Sequence, residues 1–331
     1  SENDEIIVTP RSFIISASCV LNQKLKPVFS DVDHNGNLSI AEISKAYNKK
    51  VKGIILVHLN GLPCDMDPII KFAKQKNIFV IEDCSQAHGA MYKGKKVGTF
   101  GDVATWSFCQ DKIISTGGEG GMISTNNKRI WKKCWSYKDH GKNYKKIKLK
   151  KNNLEFLWVH DDLGSNYRMT EMQAAIGRIQ LKKLNRQIRV RNQIAKIYLN
   201  GLKNFFINKF LITPNFSCGS CKLKKLDKNK CNLCIHSFYR LNLFLNKTKI
   251  NRSELLKELN LKKIKCGVGP CPEIYREKVF KKLKVTPKKR LINAKKLGEM
   301  SLIFHININK SLTVIKNEVL LIQKIIKKFI N

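Results

Sequence analysis

From Val51 onward, short apolar runs alternate with a helical pattern of apolar residues. The segment Val51–Leu59 has the composition of a buried strand, and a turn at Gly61 and Pro63 follows it. Residues 66–76 show helical spacing, and residues 78–81 form another apolar run of strand length. Strand, helix and strand at this spacing predict a right-handed βαβ unit, and therefore a mostly parallel sheet in an α/β fold.

Further elements extend this pattern toward the C-terminus. Residues 103–108 predict a third strand, which ends just before a lysine and a glycine-rich stretch. Helical spacing recurs over residues 169–184 and 317–330. With 331 residues, the chain is long enough for one large domain and a smaller one.

The formal net charge of +38 at pH 7 invites a nucleic-acid interpretation. The lysines, however, are spread along nearly the whole chain and do not form one basic arm. We therefore interpret the charge as a composition bias with solvated faces, and expect neither nucleic-acid nor membrane partners. A basic nucleic-acid binder remains the alternative, and it predicts steeply salt-dependent binding.

The N-terminus, residues 1–5, is mostly acidic and polar, so it lacks the basic start of a signal peptide. No apolar run approaches the length that spans a bilayer, and we expect a cytoplasmic protein. Eleven cysteines in such a chain predict reduced thiols.

Four of these cysteines form two C-x-x-C pairs, Cys218 with Cys221 and Cys231 with Cys234. Thiolates at this spacing can hold a tetrahedral structural zinc ion without an open catalytic position. We expect a structural zinc site; four unligated thiols in a surface insertion are the alternative.

Candidate chemistry lies at the ends of the second and third predicted strands. Asp83 follows one strand, and Lys112 follows the next along the chain. Pyridoxal phosphate (PLP) needs a carboxylate beside its ring nitrogen and a lysine amine that binds it covalently. Gln86 is placed to reach the ring, and Ser107 to donate to the phosphate. Taken alone, the aspartate also suits a helix cap and the lysine a solvated side chain.

A resemblance to a known family strengthens this interpretation. Three segments in order look like signatures of the DegT/DnrJ/EryC1/StrS aminotransferases: IEDCSQAHG (81–89), WSFCQDKIISTGGEGG (106–121) and LGSNYRMTEMQAAIG (163–177). Weaker similarity continues through VTPRSF (8–13), SYKDHG (136–141) and CPEIYREKVF (271–280). The resemblance therefore covers most of the chain, but not the cysteine-rich insertion.

The resemblance implies roles for individual residues. Lys112 matches the lysine that binds PLP as a Schiff base and shuttles a proton during catalysis. Asp83 matches the partner of the pyridine nitrogen, Gln86 the glutamine beside the ring, and Ser107 a phosphate ligand. Phe13 falls near the aromatic residue that stacks on the ring.

Asn166 matches the asparagine that reaches the phosphate from the neighbouring subunit. The resemblance therefore implies a homodimer in which both subunits contribute to each site.

The family further implies PLP-dependent transferase fold type I, with a large domain over residues 1–195. A smaller α/β domain would follow over 196–331, with the cysteine-rich insertion at 216–235. The implied reaction moves an amino group, from glutamate, onto a nucleotide-diphosphate-linked keto-sugar for surface polysaccharide synthesis. A PLP-binding dehydratase is an alternative, although there a histidine replaces the lysine found here as Lys112.

In relatives, a further N-terminal segment with a Gly-Thr turn binds the cofactor phosphate at a helix N-terminus. Only seven residues precede Val8 here, so we expect a fragment or truncated chain that lacks this element. A degenerate, non-catalytic binding or structural subunit is the corresponding alternative function.

Overall fold

A computed structural model describes residues 2–150, 156–214, 234–246 and 250–330. The first part of the chain forms a six-stranded sheet with the order β2-β1-β3-β4-β7-β8, in which only β8 is antiparallel to its neighbour. The expected mostly parallel sheet is thereby confirmed. The elements of this part are β1 (Glu5–Val8), α1 (Ile15–Asn22), β2 (Lys26–Phe29), α2 (Ile40–Ala46), β3 (Val51–Val57), α3 (Met66–Lys76), β4 (Phe79–Asp83), β5 (Met91–Tyr92), β6 (Lys95–Lys96), β7 (Val103–Ser107), β8 (Gly121–Ser124), α4 (Lys128–Lys138) and α5 (Tyr144–Lys150).

The central strand β3 is buried along almost its whole length, as its near-continuous apolar sequence predicts for a strand covered on both faces. Its last residue, Val57, pairs with Asp83 at the end of β4. Asp83 in turn pairs with Thr105 of β7. This register brings the carboxyl ends of three parallel strands to one edge of the sheet.

Helix α3 has the bounds that the apolar spacing predicts. Met66, Ile69 and Ala73 form its buried stripe. The helix ends where Asn77 adopts the left-handed conformation, with φ of 52°. Asparagine tolerates that conformation better than most residues, and β4 begins two residues later.

The second part of the chain forms a four-stranded antiparallel sheet with the order β11-β12-β10-β9. Helices pack against this sheet around a separate apolar core, so a smaller C-terminal α/β unit is confirmed. The elements of the second part of the chain are α6 (Glu171–Gly201), α7 (Lys203–Ile207), β9 (Leu211–Ile212), β10 (Arg240–Leu245), α8 (Arg252–Leu261), β11 (Cys266–Gly267), α9 (Lys278–Lys282), α10 (Ile292–Met300), β12 (Ser301–His305) and α11 (Leu312–Lys328). Of these, α9 packs through Phe280 against the large sheet.

Helix α6 connects the two parts and is much longer than the pattern over 169–184 predicts. A capping box between Thr170 and Gln173 starts it. Its buried residues begin only at Leu184 and continue to Leu199, so the later half packs into the second core. The helix runs through residue 195 without a break, and the division of the chain there stays a prediction.

Two leucines of α8 allow a matched test of the small-domain core. Leu259 is fully buried, whereas Leu261 is 68% exposed. We expect Leu259→Ala to lower the free energy of unfolding by about 3 kcal/mol, because it leaves a cavity. Leu261→Ala should stay within about 0.5 kcal/mol of the parent. Urea unfolding followed by circular dichroism measures both, and equal effects would contradict the assigned packing.

Candidate active site

Asp83 lies at the carboxyl edge of the sheet, half-buried, with both carboxylate oxygens engaged. Oδ2 accepts a hydrogen bond from Ser16 Oγ at 3.2 Å, and Oδ1 accepts from Ser85 N at 3.0 Å. Ser16 lies in the first turn of α1 and is also 2.9 Å from Ser12 Oγ. Two buried serines therefore orient the carboxylate from behind; sequence analysis did not identify either of them.

Phe13 lies between these two serines in the chain, and its side chain is 70% exposed. An exposed phenylalanine leaves an aromatic face available to a planar ligand.

Glu82, the residue before Asp83, is fully buried. Its carboxylate accepts three backbone N–H bonds at 2.7 Å each, from Gly98, Phe100 and Gly101. A buried carboxylate is stable only when it is fully hydrogen-bonded, and these bonds tie β4 to the loop that leads into β7.

His58, just after β3, completes the partners of this carboxylate. Its Nε2 lies 3.1 Å from Glu82 Oε2, while its Nδ1 accepts from Cys64 N at 3.0 Å. Nε2 must then carry the proton and donate it to Glu82. Burial raises the pKa of Glu82, but His58 and the backbone donors outweigh it and hold the pKa below its ordinary value.

His58, Glu82 and Cys84 bring ligand-type atoms within 4.8 Å of one another. Both imidazole nitrogens and both carboxylate oxygens are already used in hydrogen bonds. We therefore interpret this group as a structural clamp and not as a metal site.

Gln86 lies three residues beyond Asp83, and its Oε1 accepts from Asn60 N at 2.7 Å. Asn60 has φ of 56°, and the turn that contains it directs its N–H at the glutamine. Because the oxygen is engaged by the backbone, the Nε2 amino group is left as the donor of this side chain.

Ser107 is the last residue of β7, two residues after the partner of Asp83, on the same face of the strand. Its Oγ accepts from Cys109 N at 3.3 Å. A hydroxyl that accepts from the backbone keeps its own proton to donate to an anion.

Lys112 lies in the loop that follows β7. A bond from Phe108 N to Gly120 O, at 2.7 Å, closes this loop. The Lys112 side chain is 17% exposed, and its Nζ lies 3.1 Å from Asp111 Oδ1. Burial lowers the pKa of Lys112, yet Tyr239 and Asp111 more than offset this effect and raise it.

His88 packs among the aromatic residues of β7 and of the loop that follows it. It is buried, with its ring 5.4 Å from that of Trp106 and 5.9 Å from that of Phe108. Burial, together with the charges of Lys112 and Arg191, lowers the pKa of His88 to about 4. His88 is therefore neutral near pH 7, which suits a packing role.

Asn166 is exposed, and its Oδ1 accepts from Arg168 N at 3.3 Å, within its own segment. Three residues later, Met169 packs against Phe108 and Ile113 of the Lys112 loop. The segment is thus anchored beside the site, while the asparagine faces outward.

Of the predicted zinc ligands, Cys218, Cys221 and Cys231 lie outside the described residues. Cys234 is half-buried, and its Sγ accepts from Lys93 N at 3.3 Å. The zinc site stays a prediction.

Residues 1–316 match the DegT/DnrJ/EryC1/StrS aminotransferase family. The chain belongs to this family. An aminotransferase from Psychrobacter cryohalolentis superimposes with a TM-score of 0.92 at 39% identity, over 100% of this chain and 83% of that one. The fold is therefore that of the PLP-dependent transferases of fold type I, as expected.

Two curated relatives add detail. GDP-perosamine synthase of Escherichia coli O157:H7 is 40% identical over 62% of this chain and 53% of its own length. The dTDP-3-amino-3,6-dideoxy-α-D-galactopyranose transaminase of Aneurinibacillus thermoaerophilus is 36% identical, over 64% and 55%. The matched region thus spans about half the length of these relatives. No helix in the described part of the chain has the length and apolar character needed to cross a membrane.

The Glu82 clamp predicts a pH-dependent contribution to stability. A carboxyl with a lowered folded-state pKa stabilises the fold above its unfolded pKa, and this contribution is lost as the pH falls. We expect Glu82→Gln to lower the free energy of unfolding at pH 7 by about 3 kcal/mol, because an amide cannot accept all these bonds. The difference from the parent should narrow below about pH 4.

Urea unfolding at pH 7 and at pH 3.5 measures this difference. Glu2→Gln is the control, since Glu2 forms an exposed pair with Lys24 and should change stability by less than about 1 kcal/mol. A Glu82→Gln deficit that is the same at both pH values would contradict the assignment.

Proposed function

We propose that this chain is a PLP-dependent aminotransferase that moves an amino group, from glutamate, onto a keto-sugar linked to a nucleotide diphosphate. The observation that carries the proposal is the placement of Asp83 and Lys112. Asp83 is the last residue of β4, and Lys112 follows the adjacent parallel strand β7, in a member of an aminotransferase family. Ligands of α/β sheets bind at this carboxyl edge.

The side chains at the edge fit PLP in charge and in hydrogen-bonding capacity. Each oxygen of Asp83 accepts one described hydrogen bond and keeps a lone pair for a ring N–H. Lys112 supplies an amine, and Ser107 a hydroxyl donor. When bound, PLP supplies an electron sink for charge that develops at the substrate carbon.

Asp83 would hold the proton on the ring nitrogen, because a fixed carboxylate favours the protonated form of a nearby base. Ser16 and Ser85 keep its oxygens in place without neutralising them. Gln86 Nε2 would donate to the ring oxygen, Ser107 Oγ to the phosphate, and Phe13 would cover the ring face.

Lys112 Nζ would bind the aldehyde carbon of the cofactor. Once released as a free amine, it would move the proton at the substrate carbon that carries the amino group. Only the neutral amine can bind the aldehyde carbon or accept the proton. Since the surroundings of Lys112 raise its pKa, cofactor attachment should become faster as the pH rises.

The proposed substrate class rests on the relatives. One is named for a GDP-linked product and the other for a dTDP-linked amino sugar. We extend this chemistry to the present chain and propose surface polysaccharide synthesis as its context. Two alternatives compete: a dehydratase, against which the presence of Lys112 speaks, and a non-catalytic subunit, which predicts no covalent cofactor.

Absorption spectroscopy tests the proposal. After addition of PLP, we expect the chain to develop a visible band that borohydride fixes covalently and that L-glutamate bleaches. Lys112→Ala should lose the fixation, because no amine remains at this position. Lys93→Ala is a matched control, since Lys93 also lies beside an aspartate and a tyrosine but belongs to the turn between β5 and β6, outside the six-stranded sheet. Absence of any band in the parent chain would contradict the proposed function.

We further propose that the chain works as a homodimer in which Asn166 completes the partner's site. Support comes from apolar side chains that are exposed close to Asn166 and on the first part of α6, where no residue before Leu184 is buried: Leu163 94%, Tyr167 66% and Met172 77%. Exposed apolar surface of this kind is typical of protein interfaces. Phe13, at the edge of the sheet, is exposed as well.

Co-expression of Lys112→Ala with Asn166→Ala tests the shared site. Each variant alone should fail to give the glutamate-dependent bleaching. Random pairing makes half of the dimers mixed, and each mixed dimer has one intact site, so about a quarter of the parent signal should return. Inactivity of the mixture, or full activity of Asn166→Ala alone, would contradict a shared site.

A further inference from the structure

Asp111, the residue before Lys112, holds the lysine from one side and the small domain from the other. Its Oδ1 lies 3.1 Å from Lys112 Nζ. Its Oδ2 accepts a short hydrogen bond from the hydroxyl of Tyr239, which lies 128 residues further along the chain. One carboxylate thus joins the loop after β7 to the start of β10.

The tyrosine is well anchored. Tyr239 is buried, and its ring centroid lies 5.2 Å from Lys112 Nζ. The guanidinium of Arg240 covers the same ring at 4.4 Å and approaches Asp111 Oδ2 at 3.7 Å. Arg191 of α6, itself buried, donates to Phe238 O at 3.0 Å and so fixes the chain just before the tyrosine.

An aspartate and a lysine that are chain neighbours often form only a loose, solvated pair. Asp111 is indeed 45% exposed. Two features argue against a loose pair here. Tyr239 and Arg240 both engage Oδ2 and orient the carboxylate, and Lys112 is largely buried against the tyrosine ring.

We propose that Asp111 is a positioning residue for Lys112, and that Tyr239 and Arg240 make its position depend on the small domain. The proposal rests on the proposed function only for the role of Lys112. Asp111 keeps the lysine as an ammonium ion, at a fixed place, until the amine is needed. When Lys112 becomes neutral, Arg240 still balances the charge of Asp111.

Other charged or titratable groups also face this cluster. His88 lies close enough to Lys112, and Arg191 to Arg240, for their charges to interact, and His305 of β12 pairs with Arg240 across the small sheet. All of these oppose a further positive charge when protonated. Among the groups that the structure describes around the lysine, Asp111 is therefore the one whose removal should most clearly release the Lys112 proton.

Competitive acetylation of the PLP-free chain tests this, since acetic anhydride reacts only with neutral amines and mass spectrometry reports each lysine separately. At pH 8 we expect Asp111→Asn to raise the labelling rate of Lys112 about three- to fivefold, the upper range for a partly exposed ion pair. Tyr239→Phe, which keeps the ring, should act in the same direction but less strongly. Asp111→Glu should stay near the parent rate.

Lys93 provides the internal control, because it pairs with Asp67 beside the ring of Tyr92. Asp67→Asn should speed labelling of Lys93 and leave Lys112 unchanged. Equal rates at Lys112 in the parent, Asp111→Asn and Tyr239→Phe would overturn the proposal. Faster labelling of Lys93 as well as Lys112 in Asp111→Asn would indicate that this variant unfolds. The labelling rate of Lys112 in Tyr239→Phe would then decide whether the proposal holds.

The labelling needs no cofactor, so it separates the two proposals. A faster Lys112 in Asp111→Asn, together with no visible band after PLP, would support the positioning role while the proposed function fails.

Discussion

The buried carboxylate of Glu82 is the interaction on which the geometry of the candidate site depends. Taken out of water, it must be fully hydrogen-bonded, and its partners come from two separate stretches of chain, His58 and residues 98–101. These bonds fix β4 against the turn after β3 and against the loop before β7. Successive strand residues face opposite sides, so Asp83 and Glu82 lie on opposite faces of β4, and Glu82 holds the strand from its own face.

The two parts of the chain meet at Lys112. The large sheet places the lysine through β7, but the partners of its neighbour Asp111 come from β10 of the small sheet. The surroundings of the Lys112 amine are therefore set by both units and not by the large sheet alone. Such an arrangement gives the small domain a direct electrostatic influence on the lysine.

Local patterns predicted a good part of this structure. The apolar runs predict β3, β4 and β7. The spacing in residues 66–76 predicts the bounds of α3, because a helix with one buried face repeats its apolar residues at a regular interval. The antiparallel strand β8 was missed, since its first glycine reads as part of a turn. Helix α6 was predicted too short: its later half is set by packing against the small sheet, which no local window contains.

The candidate site likewise contains residues that local patterns predict and residues that they do not. Strand ends and family resemblance predict Asp83, Gln86, Ser107 and Lys112, and the structure places Asp83 and Ser107 at the ends of the adjacent strands β4 and β7, with Gln86 and Lys112 in the loops that follow. Glu82, Ser16 and Tyr239 were not singled out, because their roles arise from contacts distant in sequence. The acid immediately before Asp83 was the one local signal that could have pointed to the clamp.

The most direct test of the central claim is to identify which lysine carries the cofactor. Borohydride reduction of the PLP-treated chain followed by peptide mass mapping should place the pyridoxyl group on Lys112, in a peptide from the loop after β7. Modification concentrated on another lysine, or scattered over many, would contradict the pairing of Asp83 and Lys112 as the cofactor site.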